Sequence, residues 1–287
     1  MDPGGTMKVA LESTVITHGL PFPQNVETAF GMENVVKQNG GEPATIGILD
    51  GIVRIGMTKD EINRLAKEES VLKAGVRELP VVLAQKSCAS TTVSATARLA
   101  YSNGINVFAT GGIGGVHPGK WDVSQDLFEL SRSPIVVVSA GPKAILDLSS
   151  TSEMLETIGV TVVGFQTDVM PAFYSRNSGI PILPANSPEE IASMLLNSRK
   201  LGLTSAIMVF NPIQAEDELS DQEVEGWKEK SLKDLNEAGI TGKGVTPFLL
   251  SRMAFHSGNK TIVSNQSLLE NNAKLATQIG LAIEKIK

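Results

Sequence analysis

The chain has 287 residues, 41% hydrophobic and 20% charged, a balance that excludes a disordered class and supports a sizeable buried core. A formal net charge of -6 argues against a polyanion-binding surface, so nucleic acid is not an expected partner and any phosphate must be met by local groups. The single cysteine, Cys88, excludes an internal disulfide and fits a reducing cytoplasm, and no apolar run approaches the length of about 18 residues that a membrane span needs.

The opening MDPGGT, residues 1–6, precedes a second methionine and reads as a loose leader, which leaves residues 7–287 as one domain. Glu12 follows in ALESTVITHGLPFPQN, where a carboxyl among apolar neighbours has its ionised form disfavoured and suits a general acid. The plainer alternative is a glutamate at a strand end that serves as an acceptor for a neighbouring loop. His18, without a partner motif, is equally open. Helical patterns cover 26–39 and 59–67, and PVVLA at 80–84 reads as a buried strand because it is short, apolar and β-branched. Cys88 has neither a cysteine partner nor an adjacent histidine, which argues against a thiol nucleophile or a zinc site. A helix is expected over 91–103 and a strand over 106–109.

That strand runs into Thr110-Gly-Gly-Ile-Gly-Gly-Val-His117, whose backbone N–H groups and flanking donors suit an anion, although a tight strand–helix connection explains the glycines as well. The run lacks the GK[ST] of a phosphate-binding P-loop. In DVSQDL, Asp122 and Asp126 share one face if the segment is helical, an arrangement suited to a hard divalent cation; the plainer alternative makes Asp122 a cap and leaves Asp126 in solvent. After a strand at 134–139, Lys143 opens a helix expected over 142–148, where the helix dipole favours a neutral, nucleophilic amine; an ordinary solvated lysine is the plainer alternative. Further helices are expected at 152–159, 188–201, 221–238, 247–257 and 267–285, with strands at 160–165 and 205–210. Asn211, Asn265, Asn271 and Asn272 offer paired donors and acceptors to a uracil-like ligand, or serve as turn and cap residues. The alternating order points to a largely parallel sheet covered by helices on both faces, with chemistry at the strand–helix junctions.

Taken together, ALESTVITHGLPFPQN, EPATIGILDG, FATGGIGGVHPG, DVSQDL, SAGPKAILDL, NPI, GKGVTPFLL and SNQSLLENNA resemble the pseudouridine-5′-phosphate glycosidase family, also called indigoidine synthase A-like proteins. The resemblance implies a three-layer α/β/α fold around a mixed, largely parallel sheet, and a homotrimer. It implies cleavage of pseudouridine 5′-phosphate to uracil and ribose 5-phosphate, with Lys143 as covalent nucleophile and Glu12 as proton donor. Asp122 matches the family's manganese position, where magnesium is the alternative. Lys73, Val93, Ser124, Gln125 and Asp126 match its substrate-binding positions, and Thr110, His117 and Asn265 resemble further pocket residues. A lysine-dependent enzyme on another phosphosugar, or a non-catalytic relative, are the alternatives.

Overall fold

A computed structural model describes residues 6–286 other than 20, 21, 69, 120 and 121, so most of the leader lies outside the described residues. The chain begins with β1 (Lys8–Glu12), a turn of π-helix at Val15–Gly19, α1 (Gln24–Gln38), β2 (Glu42–Leu49) and β3 (Ile52–Ile55). It continues through α2 (Lys59–Lys67), β4 (Leu72–Ala74), α3 (Leu79–Ala84), β5 (Ala89–Thr91), α4 (Val93–Ser102) and β6 (Val107–Ala109). After the glycine run come α5 (Gln125–Leu130), β7 (Val136–Ser139), α6 (Leu148–Thr157), β8 (Thr161–Phe165), β9 (Leu183–Ala185), α7 (Pro188–Lys200) and β10 (Ile207–Phe210). Three helices close the chain: α8 (Asp221–Ala238), α9 (Val245–His256) and α10 (Lys260–Ile286).

The strands form one sheet in the order β4-β5-β2-β1-β6-β7-β10-β8-β9, with β3 also pairing β2. The β2–β5 and β2–β3 pairs are antiparallel and the others parallel, so the sheet is mixed and largely parallel. Alternation along each strand divides the core in two. Val9, Leu11, Val107, Ala109, Val136 and Val138 face α1, α7 and α10. Ala10, Phe108, Val137, Met208 and Phe210 face α4, α5 and α6. This is the three-layer arrangement, and each fully buried Leu or Phe contributes about 1.5–3 kcal/mol to it. No helix among the described residues is long and apolar enough to cross a membrane.

Two expected elements are corrected. PVVLA is the helix α3: Pro80 sits in its first turn, where a missing N–H costs nothing, and Val82 is buried while Val81 and Leu83 are exposed. Residues 142–147 are not a helix. Pro142 bridges Ile113, Asp147 bridges Val116, and α6 starts only after Asp147 caps it by accepting the Ser150 N–H at 2.9 Å. β1, the eight-residue β2 and the short β3, β4, β5 and β9 were not among the expected strands, because their residues lack a long apolar run.

Candidate active site

Neighbouring parallel strands end on the same edge, and the adjacent trio β1, β6 and β7 brings three segments together there. Leu11 is in register with Ala109, and Ala109 with Val138. The next residues along each chain are Glu12, Thr110 and the Ser139-Ala140-Gly141 exit that leads to Lys143. Glu12 is 7% exposed, and both its carboxylate oxygens are held, Oε1 by the Thr110 hydroxyl and Oε2 by the Thr14 hydroxyl. A hydroxyl can donate to a carboxylate or accept from a carboxylic acid, so these partners serve Glu12 in either protonation state.

Beneath Thr110 lies a polar brace. Asn272, fully buried on α10, donates to Thr110 O at 2.9 Å and accepts from Asn211 at 3.0 Å. Asn211 and Asn272 are therefore scaffold, whereas Asn265 lines the cavity above them.

The glycine run is built for close approach of its neighbours. A Cβ at Gly112 would lie 2.5 Å from the Phe173 ring, and one at Gly114 would collide with Ser124. The Gly114 N–H is given to Asp126 Oδ2 at 2.9 Å, and the Ser94 N–H at the start of α4 to Oδ1 at 2.9 Å. Asp126 is thus buried and holds the glycine run to α4; it is not the solvent-facing residue of the plainer reading. Nor do the two aspartates share a helix face, since α5 begins after Ser124, which caps it, and Asp122 precedes it in extended chain.

These segments enclose a cavity of about 360 Å³. Glu12, Lys73, His117, Asp122, Ser124, Gln125, Asp126, Lys143 and Asn265 all line it. Two expected pocket residues do not. Thr110 acts from behind Glu12, and the Val93 side chain is buried in the core while Thr92 and Ser94 on either side reach the cavity, leaving Val93 only its backbone for a ligand. Lys143 lies outside any helix, its N–H bonded to Ile113 O at 3.1 Å and its carbonyl accepting from Leu146 N at 3.0 Å across a turn, so it does not stand at a helix N-terminus.

His18 also joins the cavity, through the Val15–Gly19 turn, and burial followed by the nearby Lys73 charge lowers its pKa from 6.5 to about 4. Burial likewise lowers the pKa of His117; Asp122 opposes that shift, and Lys73 and Lys143 add to it. Both imidazoles are therefore neutral donor–acceptors at pH 7. Gln125 ties the site to the 75–78 turn, accepting from Arg77 N at 3.0 Å and donating to Glu78 at 3.3 Å.

Arg77, Glu78, Phe173, Thr246 and Leu250 line the cavity without having been singled out in the sequence. Thr246 and Leu250 fall in GKGVTPFLL, which carries the family resemblance without marking either residue, and the other three lie in segments whose pattern is that of ordinary helix or loop. Cys88 lies elsewhere, beside Asp50 and Arg64.

The residues fit a divalent cation in one respect. Asp122 offers an exposed carboxylate to the cavity, a hard oxygen ligand with room for water, whereas both Asp126 oxygens are committed to backbone N–H groups. Among the described residues no group of three His, Cys, Asp or Glu side chains is placed to hold a metal, so a cation at Asp122 would take most of its ligands from water or substrate.

The family model described as indigoidine synthase A like protein matches residues 5–282. A pseudouridine-5′-phosphate glycosidase of Pseudothermotoga lettingae is 52% identical over 280 residues, covering 97% of this chain and 99% of the relative. One of Legionella pneumophila is 44% identical, covering 96% and 91%. Among solved structures, an indigoidine synthase A-like protein of Thermotoga maritima superposes with a TM-score of 0.92 at 40% identity, covering 98% of this chain and 94% of that one. The prealnumycin C-glycosynthase AlnA in complex with ribulose 5-phosphate superposes at 0.89 and 33% identity, covering 98% and 92%. The chain belongs to the indigoidine synthase A-like family.

Proposed function

From that membership we propose that the chain is a pseudouridine-5′-phosphate glycosidase, reversibly cleaving the carbon–carbon glycosidic bond to give uracil and ribose 5-phosphate, with Lys143 as nucleophile and Glu12 as proton donor. The observation that carries the assignment is the meeting of Glu12 and Lys143, from opposite ends of the β1-β6-β7 trio, in one cavity that also holds Lys73, Ser124 and Asn265. The names of the relatives, and the phosphosugar bound to a C-glycoside-forming neighbour, support the same chemistry.

A carbon–carbon glycoside has no leaving heteroatom to protonate, so the usual two-carboxylate route is closed. Glu12 gives its proton to the ribose ring oxygen, the C1′–O bond breaks, and C1′ becomes an electrophile conjugated with the uracil ring. The Lys143 amine adds to C1′. A proton delivered to uracil C5 lets the C1′–C5 bond break with its electron pair going to the base, which leaves C1′ as an iminium on Nζ. Uracil departs, and water hydrolyses the iminium to free Lys143 and ribose 5-phosphate. The hydroxyls of Thr14 and Thr110 both donate to the Glu12 carboxylate; when Glu12 carries the proton, one hydroxyl can accept that O–H while the other still donates to the second oxygen.

Lys73 supplies the charge for the phosphate that the acidic chain otherwise lacks, and holding that remote group orients the sugar for attack. A manganese or magnesium ion at Asp122 would add positive charge to the cavity. A cytoplasmic homotrimer completes the reading, supported by the lone cysteine and by the exposed apolar Ile52, Leu72, Val81 and Leu83 near the β4 edge of the sheet.

The test is incubation with pseudouridine 5′-phosphate, or with uracil and ribose 5-phosphate, in the presence of manganese, followed by chromatography. Interconversion is expected, and its absence sinks the assignment. In Asp122→Ala the manganese dependence of turnover and of metal binding is expected to disappear; unchanged manganese binding would move the ligand role away from Asp122.

A further inference from the structure

The glycine run orders the cavity from an apolar end to a polar one. At Gly111 a Cβ would meet Leu269 at 3.1 Å and Leu268 at 3.2 Å, with Asn265 Oδ1 at 3.4 Å, and at Gly112 it would meet the Phe173 ring. At Gly114 the neighbours are instead Ser124 and the Asp126 carboxylate. Lys143 is tied between these ends, because its N–H bonds Ile113 O and Pro142 bridges Ile113. A substrate whose reacting carbon is at Lys143 extends a planar base to one side and a phosphosugar to the other. The polar side suits the phosphosugar, which leaves the base to the side of residues 111 and 112.

Phe173 is the large aromatic on that side, and its backbone is unusual. It is 2% exposed yet has a φ of 69°, the left-handed region that a bulky residue adopts only when its surroundings hold it there. Here they do. Its N–H bonds Ala140 O at 3.0 Å, and the ring of Tyr174 meets it edge to face at 4.6 Å. Leu219 N bonds Tyr174 O at 2.9 Å, which anchors the loop from its other flank. Gly141, two residues before Lys143, has a φ of 111° and no Cβ to collide with Pro171 O. The loop that carries Phe173 is therefore locked onto the strand exit that carries the nucleophile. Core filling alone asks for an apolar ring, not for one held in a disfavoured conformation against a cavity.

We propose that Phe173 is the base-specificity residue of the site: its ring packs against the uracil ring of the substrate and keeps water from C1′ while the base is in place. The inference rests on the glycosidase reading above. Phe173 touches the base and not the phosphosugar, so formation of the Lys143 iminium with ribose 5-phosphate alone does not depend on it.

The experiment measures two quantities in the unmodified protein and in Phe173→Leu and Phe173→Tyr: borohydride trapping of ribose 5-phosphate on Lys143, and the uracil concentration that half-saturates synthesis. In Phe173→Leu that concentration is expected to rise about tenfold, the scale of a lost base–aromatic contact, with trapping within about twofold of the unmodified protein and the aromatic Phe173→Tyr restoring uracil use. Unchanged uracil dependence in Phe173→Leu overturns the inference, as does equal loss of trapping and coupling. If Phe173→Leu does not fold, transferred NOEs from phenylalanine ring protons to uracil H6 in the unmodified protein decide, their absence overturning it. Failure of the glycosidase reading is distinct, since the unmodified protein then neither couples uracil nor traps the sugar.

Discussion

The two sides of the cavity are built to different standards. The floor, where β1, β6 and β7 end, is over-determined: Glu12 is gripped by two hydroxyls, Thr110 is braced through the buried Asn272, and Gly112 and Gly114 admit neighbours that no side chain would allow. The opposite wall is the α8–α9 hairpin, which contributes Gly242, Thr246 and Leu250. Of the 18 residues of α8 only Ser231 is buried, and α9 buries Leu249 and Met253. Polar ties hold the two helices, Asp234 to Arg252 at 2.5 Å and to His256 at 2.8 Å. The proposed chemistry sits on the rigid side, and the α8–α9 wall has the shallow burial of an element that opens locally.

The largest effects should fall on the floor. Lys143→Ala is expected to lower turnover by at least about 10⁴-fold with an unchanged far-ultraviolet circular dichroism spectrum, because the proposed mechanism makes its amine the covalent nucleophile. Glu12→Gln should cost about 10²–10⁴-fold, the usual worth of a positioned proton donor. Borohydride labelling should vanish only in the first variant. Labelling that persists in Lys143→Ala would place the nucleophile elsewhere.

Next come the glycines, which set floor against wall directly. In Gly112→Ala the new methyl lies 2.5 Å from the Phe173 ring and 3.0 Å from Gly141 O, so the variant should lose about 1–3 kcal/mol of stability. Gly226, inside α8, has nothing within 4 Å of its Cβ position, and Gly226→Ala should gain about 0.5–1 kcal/mol. Denaturant titration of both checks the comparison. Equal losses would mean that the wall is as tightly packed as the floor.

This contrast also explains what the sequence disclosed. The buried runs of β6, β7, β8 and β10 were legible because burial on both faces leaves mostly apolar residues, and α2 and α8 were legible from their helical pattern. PVVLA misled because a single buried Val82 in a surface helix produces the same letters as a strand. The SAGPK segment misled because its partner, the glycine run, lies outside any local window, and bridges from Ile113 to Pro142 and from Val116 to Asp147 pin the chain on either side of a turn in place of a helix. The roles proposed for Glu12 and Lys143 came from family resemblance. Phe173 and the brace of Asn272 did not, since one depends on a backbone conformation and the other on a contact with Thr110, 162 positions away.

A smaller effect concerns His18, which bridges the two regions because its turn packs against α9. Its folded pKa of about 4 lies below the ordinary 6.5, so between those values the unfolded chain binds more protons than the folded one. Stability from this group is therefore complete above pH 6.5 and is lost as pH falls through about 4. For a half-exposed ring the loss is about 1–2 kcal/mol after solvent screening. His18→Gln should flatten that slope in denaturation measured at pH 7.5 and 4.5, and an unaltered slope would assign it to other groups.

The smallest effect should come from the wall's own tie. The hydrogen bonds from His256 and then Arg252 hold the Asp234 carboxyl below its ordinary pKa of 3.8, so the tie is intact above that value and fails as pH drops through the depressed one. At neutral pH only substitution breaks it. Asp234→Asn keeps the size but loses the charge, and because the pair is partly exposed the cost to global stability should be small. Its consequence belongs to the hairpin: faster amide exchange across residues 221–256, an unchanged exchange pattern in β1, β6 and β7, and a KM raised about two- to fivefold at near-constant kcat. Exchange that quickened equally in the strands would show that wall and floor open as one unit, and the division of labour between them would have to be abandoned.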